Sequence, residues 1–197
     1  MGDTFRIIVD STASPQEAPV LAKEVMDYMI GRRIIQAERG EGVLGKDGGY
    51  RPGENVEEAL ASWTPHHSPG GPLAIDKIAS DLRRWATNGV EETIGRTVFH
   101  NFGAGLDVVR CPVCQANNVE SDWGDAVGRW YRGDDLAPFQ CRSCNESSPL
   151  TDWTFDPPWA FGHLGFEFWN WPPMKRSFID KIAGILGHKV VLVAGKV

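Results

Sequence analysis

Two short cysteine pairs, Cys111-Pro-Val-Cys114 and Cys141-Arg-Ser-Cys144, restrict this chain more than any other feature, because they account for every cysteine it has. A Cys-x-x-Cys turn presents two thiolates on one side of a tight loop, and two such turns complete the tetrahedral sulfur set that zinc favours. Four thiolates leave no coordination position for substrate or water. An ion held by Cys111, Cys114, Cys141 and Cys144 is therefore expected to be structural, at about one zinc per chain. The competing arrangements are two disulfides or four ordinary buried thiols, and disulfides belong mainly to oxidising compartments. The N-terminus MGDTFRIIVD lacks the basic and apolar regions of a secretion signal, and no run approaches the roughly eighteen apolar residues of a membrane span. The expectation is a soluble cytoplasmic protein with reduced thiols.

The two pairs, with the residues between and around them, resemble a zinc ribbon over about residues 108–155. That family carries two metal knuckles, each ending a hairpin. The spacer, residues 115–140, is longer than the family's usual fifteen to twenty or so residues. Gln115 and Asn145 also stand where glycine is usual. Asparagine adopts the left-handed backbone readily, glutamine less so. Trp123, Val127, Trp130 and Tyr131 recur at helical spacing and predict a short helix inside the spacer. Arg110 and Arg142 flank the ligands, either to offset the negative charge of a four-thiolate site or as ordinary exposed arginines.

Nucleic acid is not the expected partner. Phosphate affinity comes from clustered Lys and Arg, yet the chain carries a net charge of −6. Between Cys111 and Cys144 the bases Arg129, Arg132 and Arg142 are outnumbered by Glu120, Asp122, Asp125, Asp134 and Asp135. Only the C-terminal end runs the other way, where Lys175, Arg176, Lys181, Lys189 and Lys196 face the single acid Asp180. That bias reads as a solvated helix face, with an anionic partner for this segment as the alternative.

Outside the cysteine region the chain reads as strand, helix, strand, insertion, strand, helix, strand. FRIIVD (5–10) is a buried strand, and Ser14-Pro-Gln-Glu17 is a capping pattern that opens a helix with Ala18, Leu21, Ala22, Val25 and Met29 on one face. Strand character returns at 89–100. It is followed after the insertion by an aromatic strand, the helical pattern SFIDKIAGILG and a final strand in HKVVLVAGKV. This order resembles the ferredoxin-like fold, a doubled βαβ unit with two helices on one face of an antiparallel sheet. The resemblance covers residues 3–33, 89–105 and 158–197. It implies an α+β protein whose core, residues 1–105 with 158–197, carries a helical, glycine-rich excursion at 34–88 and a zinc-ribbon insertion at 106–157. Within the excursion, NVEEALASW predicts a short helix, and Ile75, Ile78, Leu82 and Trp85 a longer one.

The aromatic strand FGHLGFEFWNWPP (161–173) needs covering on both faces. Strand alternation sends Phe166 and Phe168 one way and Glu167, Trp169 and Trp171 the other. The second face is covered by the chain's own excursion or insertion, by a protein partner anchored on Trp169 and Trp171, or by a small molecule oriented by Glu167, His163 or Asn170. His66 and His67, adjacent in a Pro- and Gly-rich loop, are candidates to bind an anion or metal, although a solvated pair is the commoner meaning. Residues 40–53 hold six glycines, and Gly40-Glu-Gly-Val-Leu-Gly45-Lys46 resembles a nucleotide-binding phosphate loop. Asp47 stands where that family places a magnesium-binding hydroxyl, which argues against a nucleotide site. Ser11 and Thr12 read as turn residues, and His100, His163 and His188 have no local partner. The expected function is thus a non-catalytic zinc-binding interaction or adaptor protein with an unidentified protein partner. The alternatives are an enzyme or ligand-binding protein with a pocket between the 40–70 loop and the aromatic strand, and lastly a nucleic-acid-binding ribbon.

Overall fold

The computed structural model describes residues 2–40, 48–63, 71, 73–103 and 105–197. The chain folds as a mixed α+β protein around a six-stranded antiparallel sheet. In chain order its strands are β1 (Thr4–Asp10), β2 (Ile35–Arg39), β3 (Tyr50–Pro52), β4 (Gly89–Phe99), β9 (Ala160–Trp169) and β10 (Val190–Lys196). In space they run β10-β1-β9-β4-β3-β2, every neighbouring pair antiparallel. The aromatic strand β9 lies between β1 and β4, where both edges are paired, so its backbone groups are satisfied without solvent.

Local chemistry explains the helices that cover this sheet. Ser14 and Glu17 form a reciprocal capping box: Glu17 Oε2 accepts from the Ser14 backbone N–H at 3.0 Å, and Ser14 Oγ accepts from the Glu17 N–H at 3.2 Å. Helix α1 (Ala18–Gly31) follows, with proline in its first turn, where the missing N–H costs no bond. Its buried stripe is Ala18, Ala22, Val25, Met26 and Met29. Helices α2 (Ile75–Arg84) and α4 (Arg176–Leu186) bury Ile78, Ala79 and Leu82, and Phe178, Ile182 and Leu186. All three stripes join one cluster with Ile8, Val90, Leu164, Phe166 and Phe168 from the sheet. The other face carries Phe5, Ile7, Val9, Phe99, Trp169 and Val193.

The excursion 34–88 departs from the expected helical loop. It adds β2 and β3 as two outer strands, so the sheet has six strands where four were expected. Beyond Ile35 the strand Ile35–Arg39 is exposed, which removes the hydrophobic alternation by which such a strand is read. The segment NVEEALASW forms a 3-10 turn at Val56–Glu58 in place of a helix, then isolated bridges from Leu60 to Met174 and from Trp63 to Leu73. In β4 the register shifts between Ile94 and Thr97, around Gly95 at φ 120°, so the strand does not keep one alternation along its length.

Residues 106–157 hold a separate cluster of secondary structure: β5 (Val108–Arg110), α3 (Trp123–Tyr131), β6 (Pro138–Gln140), β7 (Ser147–Pro149) and β8 (Thr154–Asp156). Strands β5 and β8 pair, and so do β6 and β7. The helix expected in the spacer is α3. It buries Ala126 and Trp130 while Tyr131, read as part of the same face, is exposed. Trp130 and Val109 pack with Phe139, Leu150, Trp153 and Phe155, and this cluster takes in Phe161 of β9, with Val98 of β4 against it. Two short ladders and one helix are thus seated against the end of the sheet.

Among the described residues no helix is long and apolar enough to cross a membrane.

Candidate metal centre

The two cysteine turns have the same backbone frame. In each, the first cysteine's carbonyl accepts from the N–H four residues on, Gln115 N at 3.1 Å and Asn145 N at 2.9 Å. Its own N–H donates to the carbonyl five residues on, Ala116 O at 3.0 Å and Glu146 O at 2.9 Å. A left-handed residue closes each turn, Gln115 at φ 63° and Asn145 at φ 62°. Residues other than glycine therefore close both turns. Even the residue before each turn has the same job: Arg110 Nη1 donates to Gln115 O and Gln140 Nε2 to Asn145 O, both at 3.0 Å. The side-chain hydrogen bond of Arg110 goes to the turn's backbone, beside the cluster whose charge it was read as offsetting.

These frames bring the four sulfurs within 4.8 Å of one another. Cys111 and Cys144 are 3.9 Å apart and Cys114 and Cys141 3.6 Å. At a zinc–sulfur bond of about 2.3 Å, the sulfurs of a regular tetrahedron lie about 3.8 Å apart, so the donor set fits such an ion. A disulfide requires about 2.05 Å, and all four cysteines are free. The arrangement is compatible with metal binding, and no disulfide joins the four cysteines.

The electrostatics differ between the two ends of the second turn. Burial opposes ionisation of Cys141, but the N–H groups of Cys144 and Ser143 and the amide of Asn118 outweigh it and bring that thiol down to about 6. Cys144 moves oppositely: although the Glu146 N–H favours its thiolate, burial and the neighbouring sulfurs push it up to about 12. Four thiolates this close repel one another, and a cation between them is what lets all four ionise.

Asn118 was not singled out from the sequence. It is buried, its Nδ2 donates to Ala116 O at 3.0 Å and to Cys141 Sγ at 3.4 Å, and its Oδ1 accepts from the Arg142 N–H at 2.9 Å. One side chain therefore ties the first turn to the second. The Asn117-Asn118 pair beside Cys114 was the available signal, since asparagine can bond both donor and acceptor. Asn118→Ala is expected to weaken zinc affinity about 10- to 100-fold without abolishing binding, as read by competition with a chromogenic chelator. Unchanged affinity would show that the amide is not part of the centre.

Among the described residues, the other sequence candidates do not converge on one site. Trp169 and Trp171 were placed on one face as possible partner anchors, yet both are buried, 5% and 1% exposed. They do not share a face either. Strand β9 ends at Trp169 and Asn170 is left-handed at φ 56°, so alternation stops, and Trp171 enters the helix-side cluster while Trp169 stays on the other face. Glu167 lies opposite Glu91 and accepts from Thr93 Oγ1 at 2.6 Å. His163 stands 6.4 Å from Trp130, between centroids. His66 and His67 lie outside the described residues, as does the phosphate-loop-like stretch beyond Gly40. His188 does find a partner: its Nδ1 is 2.7 Å from Oδ2 of the fully buried Asp10, whose Oδ1 accepts from Thr12 N, Thr12 Oγ1 and Ala13 N. The Thr12 hydroxyl is thereby committed to the carboxylate as a turn cap.

Comparison of the chain with protein-family models, with curated proteins and with solved structures gave no match, so the four-cysteine geometry itself carries the functional argument.

Proposed function

We propose that Cys111, Cys114, Cys141 and Cys144 hold one zinc ion as a closed structural centre, and that the protein is a non-catalytic cytoplasmic interaction or adaptor module built around it. The observation that supports this is the set of four mutually close sulfurs. It supplies a full tetrahedral shell from the protein alone and leaves no position for chemistry on substrate. Zinc is preferred over other ions because an all-thiolate tetrahedron suits it and involves no redox change. On this reading residues 106–157 are a zinc-ribbon insertion, supported by the paired turns and by the β6–β7 hairpin that the second turn closes. The surrounding core is read as ferredoxin-like, supported by the spatial order β10-β1-β9-β4 among its four strands, with α1 and α4 on one face. Since Trp169 and Trp171 are buried, a partner would meet the ribbon's outer side, where Val113, Tyr131 and Leu136 are exposed.

Elemental analysis of the purified chain is expected to find about one zinc per chain, because one four-thiolate set holds one ion. A chain that stays below about a tenth of an equivalent after zinc reconstitution would contradict the proposal.

A further inference from the structure

Away from the cysteines, four separate segments converge on an open cleft of about 660 Å³. They are the start of β1, Trp63, the Trp85–Thr87 connection into β4, and the turn Asn170–Pro173. That volume falls within the range of roughly 300–1,000 Å³ of small-molecule sites. We propose that this cleft binds a small planar anion, an aromatic ring that carries a carboxylate or a phosphate.

The polar floor holds one cation without a counter-ion and one donor without an acceptor. Arg6 is half-buried and donates to the Trp171 carbonyl, and among the described residues it has no ion-pair partner. Burial holds its guanidinium below the ordinary arginine value, the mark of a cation short of counter-charge. Trp171 also lines the cleft, and its Nε1 is buried with no hydrogen-bond partner among the described residues. Buried donors are nearly always satisfied, and an anionic acceptor between these two would satisfy both. The acid in the lining, Asp3, accepts from Asn170 Nδ2 at 2.7 Å and forms no ion pair with Arg6.

The walls are aromatic. Trp63 is half-buried and Trp85 is 45% exposed, and no ring of a described residue stacks on either. Trp63 packs on the helix-side cluster, so Trp85 offers the more open surface, and an indole near a cation suits a flat ring with an anionic group. The Trp85 wall is also held in place. Arg51 donates from Nη2 to Trp85 O at 2.6 Å and from Nη1 to Ala86 O at 2.7 Å, and Asn170 Nδ2 reaches Thr87 O at 2.6 Å. A site fixed before the ligand arrives loses little entropy on binding.

The test titrates the zinc-loaded full chain with 1-naphthoate and with adenosine monophosphate, using 1-naphthamide as the uncharged control, by calorimetry and tryptophan quenching. At least one anion should bind saturably, about tenfold or more tighter than the amide. Tighter naphthoate identifies a carboxylate ligand, and tighter nucleotide a phosphate ester. Arg6→Gln should erase the preference for the anion, and Trp85→Ala, at an exposed position, should weaken the anion by about tenfold while the fold persists. If neither anion outbinds the amide, or if folded Arg6→Gln or Trp85→Ala protein keeps full affinity, the proposal is overturned. Should Arg6→Gln fail to fold, Trp85→Ala decides.

Discussion

If the proposed centre holds zinc, Cys141→Ser is expected to drop bound zinc from about one equivalent to below about a tenth, and to unfold the segment around the four cysteines. Cys141 is fully buried and has the densest set of donors around its sulfur: the Ser143 N–H and the Asn118 amide, both at 3.4 Å, and the Cys144 N–H. A serine hydroxyl in its place does not ionise at neutral pH and is a poor zinc ligand, so the tetrahedron is left with three thiolates. Structural zinc supplies about 10–16 kcal/mol of apparent binding energy in small metal-folded peptides, more than a typical domain's whole margin of stability. The ladders it joins are short, three residues each in β5, β6, β7 and β8. Atomic emission would report the lost metal. Near-ultraviolet circular dichroism would report the loosened packing of Trp130 and Trp153, which sit in the same cluster as Cys111 and Cys141. A metal-free variant with an unchanged near-ultraviolet spectrum would refute a folding role for the ion.

Phe168→Ala is the second large effect, expected to cost about 3–5 kcal/mol. The residue is fully buried on β9, with Arg6 of β1 on one side and Val90 of β4 on the other. Its ring meets Trp171 edge-on at 5.2 Å and Phe178 at 6.0 Å, so truncation opens a cavity and also removes two aromatic contacts. Such pairs add about 0.5–1.5 kcal/mol beyond burial. Phe178 belongs to α4 and Trp171 to the turn that leads there, so the ring links sheet, turn and helix. For a chain of this size the midpoint of thermal unfolding should fall by roughly 6–20 °C. A fall of less than about 3 °C would mean that the cluster repacks around the gap.

How much of this was legible beforehand depended on the range of the interactions. The cysteine set could be read because ligand chemistry is written in two turns of four residues each. Helix α1 could be read because Ser14 and Glu17 bond across a single turn. The strand β9 was visible as an aromatic run, but the positions of Trp169 and Trp171 were not. Asn170 takes a left-handed backbone because its Oδ1 accepts from the Thr4 N–H at 2.9 Å, and Thr4 lies at the far end of the sequence. Strands β2 and β3 escaped for a related reason. They gain their order from the edge of β4, through Tyr50 opposite Val90, and their own residues carry little alternation. Asn118 and the cleft beside Trp171 are likewise built from residues that meet only after folding. His66 and His67 lie outside the described residues, so the structure places no site on them.

The matched frames of the two cysteine turns bear on how the centre assembles. Each turn is closed by bonds spanning four or five residues, so each half of the ligand set is able to form by itself, early and locally. What remains is an encounter between two ready-made jaws across the spacer 115–140, and the entropy of closing such a loop grows only with the logarithm of its length. The unusual length of the spacer is therefore thermodynamically cheap. It also leaves room for α3, whose Trp130 carries the finished clasp onto Phe161 of the sheet.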